Sequence, residues 1–103
     1  MKIADAVVYL LKKECKEKNW DENDWHIVPF DNHDFCWEAL ELAGKIPHGK
    51  RGYVNYESRY RTCKSVADAL ERDKRFRKTL VPHQVLRRMF DYIGEIEDEE
   101  MDD

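Results

Sequence analysis

No stretch of this chain approaches the ~20 consecutive apolar residues that a membrane-spanning helix needs. Its most apolar segment, MKIADAVVYLLKKE at the N-terminus, is broken by Asp5 and has no small-residue cleavage site, so it does not read as a signal peptide. Cysteine is scarce. Cys15, Cys36 and Cys63 are too few and too far apart for a disulfide framework, and an odd count without a secretion signal predicts reduced thiols and a cytoplasmic location. The motifs of nucleotide and hydrolase chemistry are missing too: there is no P-loop, G-x-G-x-x-G, G-x-S-x-G or H-E-x-x-H. His33 and Cys36 have a usable ligand spacing, with His26, Cys63 and His83 elsewhere. No second pair completes a structural zinc set, so neither metal nor cofactor is expected. Cys36 beside His33 at a helix start is a position that lowers a thiol pKa. Cysteines so placed are more often packed as small hydrophobes, and no enzyme is expected. There is no internal repeat, and the acidic C-terminus is the one low-complexity segment.

What the chain has is charge. Asp, Glu, Lys and Arg make up 39% of its 103 residues, against a usual ~25%. The net charge of −4 conceals a segregation. Residues 1–47 carry 6 Lys/Arg and 10 Asp/Glu, residues 48–90 carry 12 and 4, and residues 91–103 carry none and 8. A basic middle followed by an acidic end points to a polyanionic partner, an internal electrostatic clamp, or both.

The periodicity predicts a single, mainly helical domain over 1–94, with one or two short strands, and a disordered acidic tail over 95–103. A first helix spans 2–18, with Ile3, Ala6, Val7, Leu10 and Leu11 on one face. WHIVPF (25–30) is β-prone, and Pro29 makes it an edge strand or an extended connector. A second helix follows the candidate caps Asp31 and Asn32, places Phe35, Ala39, Leu42, Ala43 and Ile46 on one face, and ends at Gly44 and Pro47. HGKRG (48–52) is a basic turn, and GYVNY (52–56) a second possible strand. In the third helix Tyr60, Cys63, Val66, Ala67 and Leu70 form the apolar stripe. Either Ser58 or a later Ser65–Asp68 capping box marks its start. Pro82 opens a fourth helix lined by Val81, Val85, Leu86, Met89 and Ile93, with Gly94 as its stop.

ESRYRTCKSVADALERDKRFRK (57–78) carries the sharpest functional signal. At 100° per residue, Arg61, Ser65, Asp68, Arg72 and Arg75 point away from the apolar stripe, bordered by Lys64 and Glu71. Guanidinium groups bind phosphate, or guanine in the major groove, and a serine hydroxyl donates to phosphate oxygens. The competing reading is a solvated helix laced by the i,i+4 pairs Lys64–Asp68, Asp68–Arg72 and Glu71–Arg75. Tyr53, Tyr56 and Tyr60, interleaved with Arg51, Arg59 and Arg61, would suit stacking of unpaired bases, or would simply be half-buried.

The phrase SVADALERDKRF (65–76) resembles the third helix of winged helix-turn-helix domains, where an Arg-Phe leads into the wing. The order of helices over residues 3–78 is similar as well. The resemblance implies DNA contact by Ser65, Asp68, Arg72 and the basic run after Phe76, with Arg61 and Lys64 near phosphates at the helix entrance. The expected function is nucleic-acid binding, chiefly to double-stranded DNA, through Arg59, Arg61, Lys64, Ser65, Asp68, Arg72, Arg75, Arg77 and Lys78. A homodimer on paired half-sites is compatible with this. The alternative is a protein–protein interaction module or inhibitor, with Trp20, Trp25 or Trp37 as anchors. The acidic tail is inert, folds back on the 48–90 basic surface in competition with nucleic acid, or mimics phosphate on another protein, and the last of these supports that alternative.

Overall fold

The computed structural model of the chain describes residues 1–29, 34–46 and 56–101, with side chains to residue 98. Four α-helices organise it: α1 (Ile3–Glu17), α2 (Phe35–Leu42), α3 (Tyr56–Glu71) and α4 (Val81–Met101). Two 3-10 helices, Glu22–Ile27 and Lys74–Phe76, lie between them. The fold is mainly helical as expected, and among the described residues there is no strand.

Helix α1 buries Ala4, Ala6, Val7, Val8, Leu11 and Cys15, a broader face than the one the spacing picks out, while Ile3 and Leu10 are half-buried. It ends in a Schellman motif. Asn19 adopts φ 58°, the Trp20 N–H donates to the Cys15 carbonyl at 2.8 Å, and the Asn19 N–H donates to Lys16 at 3.2 Å. Helix α2 ends the same way at Gly44 (φ 75°), with Lys45 N–H on the Leu40 carbonyl at 2.9 Å and Gly44 N–H on Glu41 at 3.0 Å. Gly44 is therefore required by its backbone conformation, as a helix stop should be. Asp34 precedes α2 as its first flanking residue; Asp31 and Asn32 lie outside the described residues.

Between α1 and α2 the β-prone segment does something else. Residues 25–27 belong to the 3-10 helix, whose start is fixed when the Asp21 carboxylate accepts the Asn23 N–H at 2.9 Å. Trp25 then packs edge-on against Phe76, ring centroids 5.3 Å apart. A local cap and one long-range aromatic contact override strand propensity; Val28 has the extended backbone of a connector, and it is fully buried. Of the second candidate strand, residues 52–55 lie outside the described residues, and Tyr56 opens α3.

Helix α3 starts earlier than either serine cap implies and stops at Glu71. Ser58 and Ser65 sit inside it: Ser65 Oγ donates to the Arg61 carbonyl at 3.1 Å, and the Ser58 carbonyl accepts Thr62 Oγ1 at 2.8 Å. Buried Thr62, Cys63, Val66 and Leu70 hold it to the core. The chain then reverses through residues 72–80, and α4 returns antiparallel along α3. This is seen where Tyr56, at the start of α3, meets Tyr92, ring centroids 6.3 Å apart.

In α4, Val81, Val85 and Tyr92 are buried and Met89 and Ile93 half-buried, but Leu86 is 40% exposed and does not join the core. Nor does Gly94 stop the helix, which runs on to Met101, so residues 95–101 are helical where a disordered tail was expected. The half-buried Ile96 and the good helix propensity of glutamate outweigh the ~1 kcal/mol that an interior glycine costs. Residues 77–80 form a turn leading directly into α4, so among the described residues no β-hairpin wing follows Phe76.

Phe76 is the largest fully buried side chain among the described residues. Phe76→Ala should cost about 3–5 kcal/mol in urea denaturation, a large-to-small loss at a site walled by Trp25, with a matching red shift in tryptophan emission. A cost below about 1 kcal/mol would mean that the turn does not rest on this ring.

Candidate nucleic-acid interface

The nine residues singled out by sequence do not share one helix. The outward side of α3 carries Glu57, Arg61, Lys64, Ser65, Asp68 and Glu71, all exposed, and is close to electrically neutral. Arg61 is paired with Glu57 one turn back. Arg59 lies over the Tyr56 ring, 5.3 Å from its centroid. The Ser65 hydroxyl is engaged with its own helix. The positive charge concentrates beyond the helix, in Arg72, Lys74, Arg75, Arg77 and Lys78 of the α3–α4 junction.

Of the i,i+4 pairs that a solvated face would use, Glu57–Arg61 forms, but among the described residues Lys64–Asp68, Asp68–Arg72 and Glu71–Arg75 do not. Among the described residues, Lys64, Lys74, Arg77 and Lys78 make no ion pair, and Arg72 donates from Nε to the Asp68 carbonyl at 3.2 Å and not to its carboxylate. Arg75 differs from its neighbours. It donates to Asp73 at 2.8–3.0 Å and reaches Asp5 on α1 at 2.6 Å, tying the junction to the first helix. Asp73 also accepts the Arg75 N–H at 2.9 Å, which starts the 3-10 turn. Hydrogen bonding from Arg75, opposed by partial burial, holds the Asp73 carboxyl down to about 2 and raises the Arg75 guanidinium. Arg75 is thus a structural residue in the middle of a binding candidate.

Arg72 opens onto a cleft of about 310 Å³ lined by Lys2, Ile3, Ala4, Lys45, Ala69, Arg72 and Asp73. The start of α1, the end of α2 and the end of α3 meet there. Three cations share it with one carboxylate that is already committed to Arg75. Lys2 and Lys45 were not among the sequence candidates. Nothing in local spacing marks them, because they reach the site only through the packing of three helices.

The cysteines are all reduced and buried. A hydrogen bond with Cys63, together with burial, pushes the Cys36 thiol well up, the reverse of an activated nucleophile. That bond and nearby Arg88 lower Cys63. His33 lies outside the described residues, and among the described ones no cluster of three His, Cys, Asp or Glu is placed to hold a metal ion. Among the described residues no helix is long and apolar enough to cross a membrane. Trp37 is buried, Trp25 half-buried, and Trp20 exposed with Lys18 Nζ 5.4 Å from its ring centroid.

Comparison with protein-family models, with curated proteins and with solved structures finds no match.

Two outcomes are expected from this geometry. The Asp73 carboxylate is favoured by folding, so its contribution is complete above the unfolded value near ~4 and is lost as pH falls towards 2. Arg75→Ala should therefore cost about 1 kcal/mol at neutral pH, given the partial exposure of the clamp, and the gap to wild type should narrow between pH 4 and 2 in urea titrations. A gap constant with pH would remove the clamp. The thiols should resist an aromatic disulfide reagent in the native protein and titrate as three on denaturation; fast native labelling of Cys36 would contradict the burial described.

Proposed function

We propose that this protein binds nucleic acid through the cationic α3–α4 junction, with Arg72, Lys74, Arg77 and Lys78 as the phosphate-gripping set and Lys2 and Lys45 extending it across the cleft. The observation that carries the reading is the set of exposed cations Arg72, Lys74, Arg77 and Lys78, which make no ion pair among the described residues, with Arg72 meeting two lysines from distant parts of the chain. Asp68 stands one turn before Arg72 and Glu71 one turn before Arg75, yet among the described residues neither carboxylate pairs with a cation of the junction. Compared with the reading from sequence, the weight moves from the helix to its exit. Arg61, Lys64, Ser65 and Asp68 flank the grip, and Arg75 supports it without being free to bind. Contacts of this kind position a phosphate backbone and carry little base readout. The preferred ligand is a duplex, and the affinity is dominated by counterion release.

A second reading, a protein–protein module, draws support from a different observation: Leu80, Leu86 and Phe90 are exposed around α4. Of the tryptophans considered as anchors, Trp20 is the exposed one.

Fluorescence polarisation with a random-sequence DNA duplex at several salt concentrations tests the first reading. Wild type should bind with an affinity that falls steeply with salt. The triple variant Arg72→Ala/Arg77→Ala/Lys78→Ala should bind more weakly, with the log–log salt slope reduced by roughly one for each phosphate that the variant no longer neutralises. Absence of binding at low salt, or a folded triple variant with unchanged slope, would exclude this surface. Single-stranded DNA and RNA in the same assay set the strand preference.

A further inference from the structure

Helix α4 carries three features that its own chain does not explain. The first is an apolar stripe. At 100° per residue Leu86, Phe90, Ile93, Gly94 and Glu97 lie on one side, displaced from the buried Val81–Val85–Tyr92 line. Leu86 is 40% and Phe90 68% exposed, although a helix of a monomer gains nothing by showing them to water. The second is Gly94. It sits inside a 21-residue helix, where glycine is unfavourable, and a Cβ built there meets nothing within 4 Å. The space beside it is open, so no contact among the described residues requires its smallness. The third is the charge order. His83, Arg87 and Arg88 occupy the N-terminal half, and Asp91, Glu95, Glu97 and Asp98 the C-terminal half; the last turn has no basic residue and the first no acidic one. Each sign sits at the end of the helix dipole that repels it.

We infer that α4 pairs antiparallel with α4 of a second copy of this chain, about a twofold axis near residue 92. That single arrangement accounts for all three features. Phe90 of each protomer lies over Gly94 of the other, where the missing Cβ lets the helices approach. The Leu86–Phe90–Ile93 stripe is covered from both sides. The basic half of each helix runs beside the acidic half of its partner, with Arg87 facing Glu97, so the charges unfavourable to each dipole meet their opposites. The contact is isologous and closes at two copies. It stands apart from the nucleic-acid reading, which uses the junction before α4.

Analytical ultracentrifugation of the full chain over a concentration series tests the pairing. The weight-average mass should rise from 12.4 kDa towards twice that value at high-micromolar protein and low salt. Phe90→Glu, at a position too exposed to threaten folding, should leave a monomer with an unchanged circular dichroism spectrum. Arg87→Glu and Glu97→Arg should each weaken the dimer roughly tenfold, and the two together should restore it, a rescue that a merely sticky surface would not give. A wild-type chain that stays monomeric throughout overturns the inference. So does a dimer that survives Phe90→Glu, or a charge-swapped variant that fails to recover.

Discussion

The chain reversal at residues 72–80 is the constraint on which the rest of the structure depends. An uninterrupted helix through Phe76 would have carried its arginines along one rod and left α4 nowhere to return. The chain breaks at Arg72–Asp73 instead, because Asp73 offers its carboxylate to the Arg75 backbone and side chain together. Arg75 then reaches Asp5, and the next residue drops Phe76 into the core against Trp25. One polar clamp and one aromatic anchor thus fix the junction to α1 and to the 3-10 helix at 22–27. The antiparallel α3–α4 pair follows from that. The clamp is partly solvated and modest in energy, while the buried ring supplies most of the stabilisation. Arg75 contributes direction more than strength.

The same reversal sorts the charges. Within seven residues it gathers Arg72, Lys74, Arg77 and Lys78 at one end of the helix pair, and α4 then carries the acidic residues away from them. A helical course separates the two signs better than a loose tail would, since a flexible polyanion following Gly94 could fold back on the junction. The helical course of 95–101 therefore works against a fold-back of these residues, one of the readings the sequence left open.

Sequence revealed those parts of the fold that depend on neighbours in the chain. The faces of α1 and α3 follow from spacing, and Gly44 and Pro82 mark helix ends through backbone geometry that any context must respect. What sequence missed depended on distant partners. Trp25 became part of a 3-10 helix because Asp21 caps it and Phe76 lies against it. Arg75 looked like a member of the recognition face because its partner Asp5 is seventy residues away. Ser65 had the signature of a cap but lies mid-helix, where its hydroxyl bonds back to Arg61. Lys2 and Lys45 gave no signal at all. Gly94 misled for a different reason: a glycine ends a helix when it must take positive φ, and here it does not.

The two proposals meet in one spatial consequence. At 1.5 Å per residue, the turn before α4 lies about 20 Å along the helix from a twofold axis near residue 92. Antiparallel pairing would therefore set the two basic junctions about 40 Å apart, one at each end of the paired helices. One turn of B-form DNA advances ~34–36 Å, the spacing at which dimeric proteins meet successive half-sites. A single junction with a handful of phosphate contacts binds weakly at moderate salt. Two held at this separation act as linked sites, and the second contact gains from an effective concentration fixed by a rigid spacer. The charge order of α4, costly to one helix alone, would then serve both the pairing and the spacing.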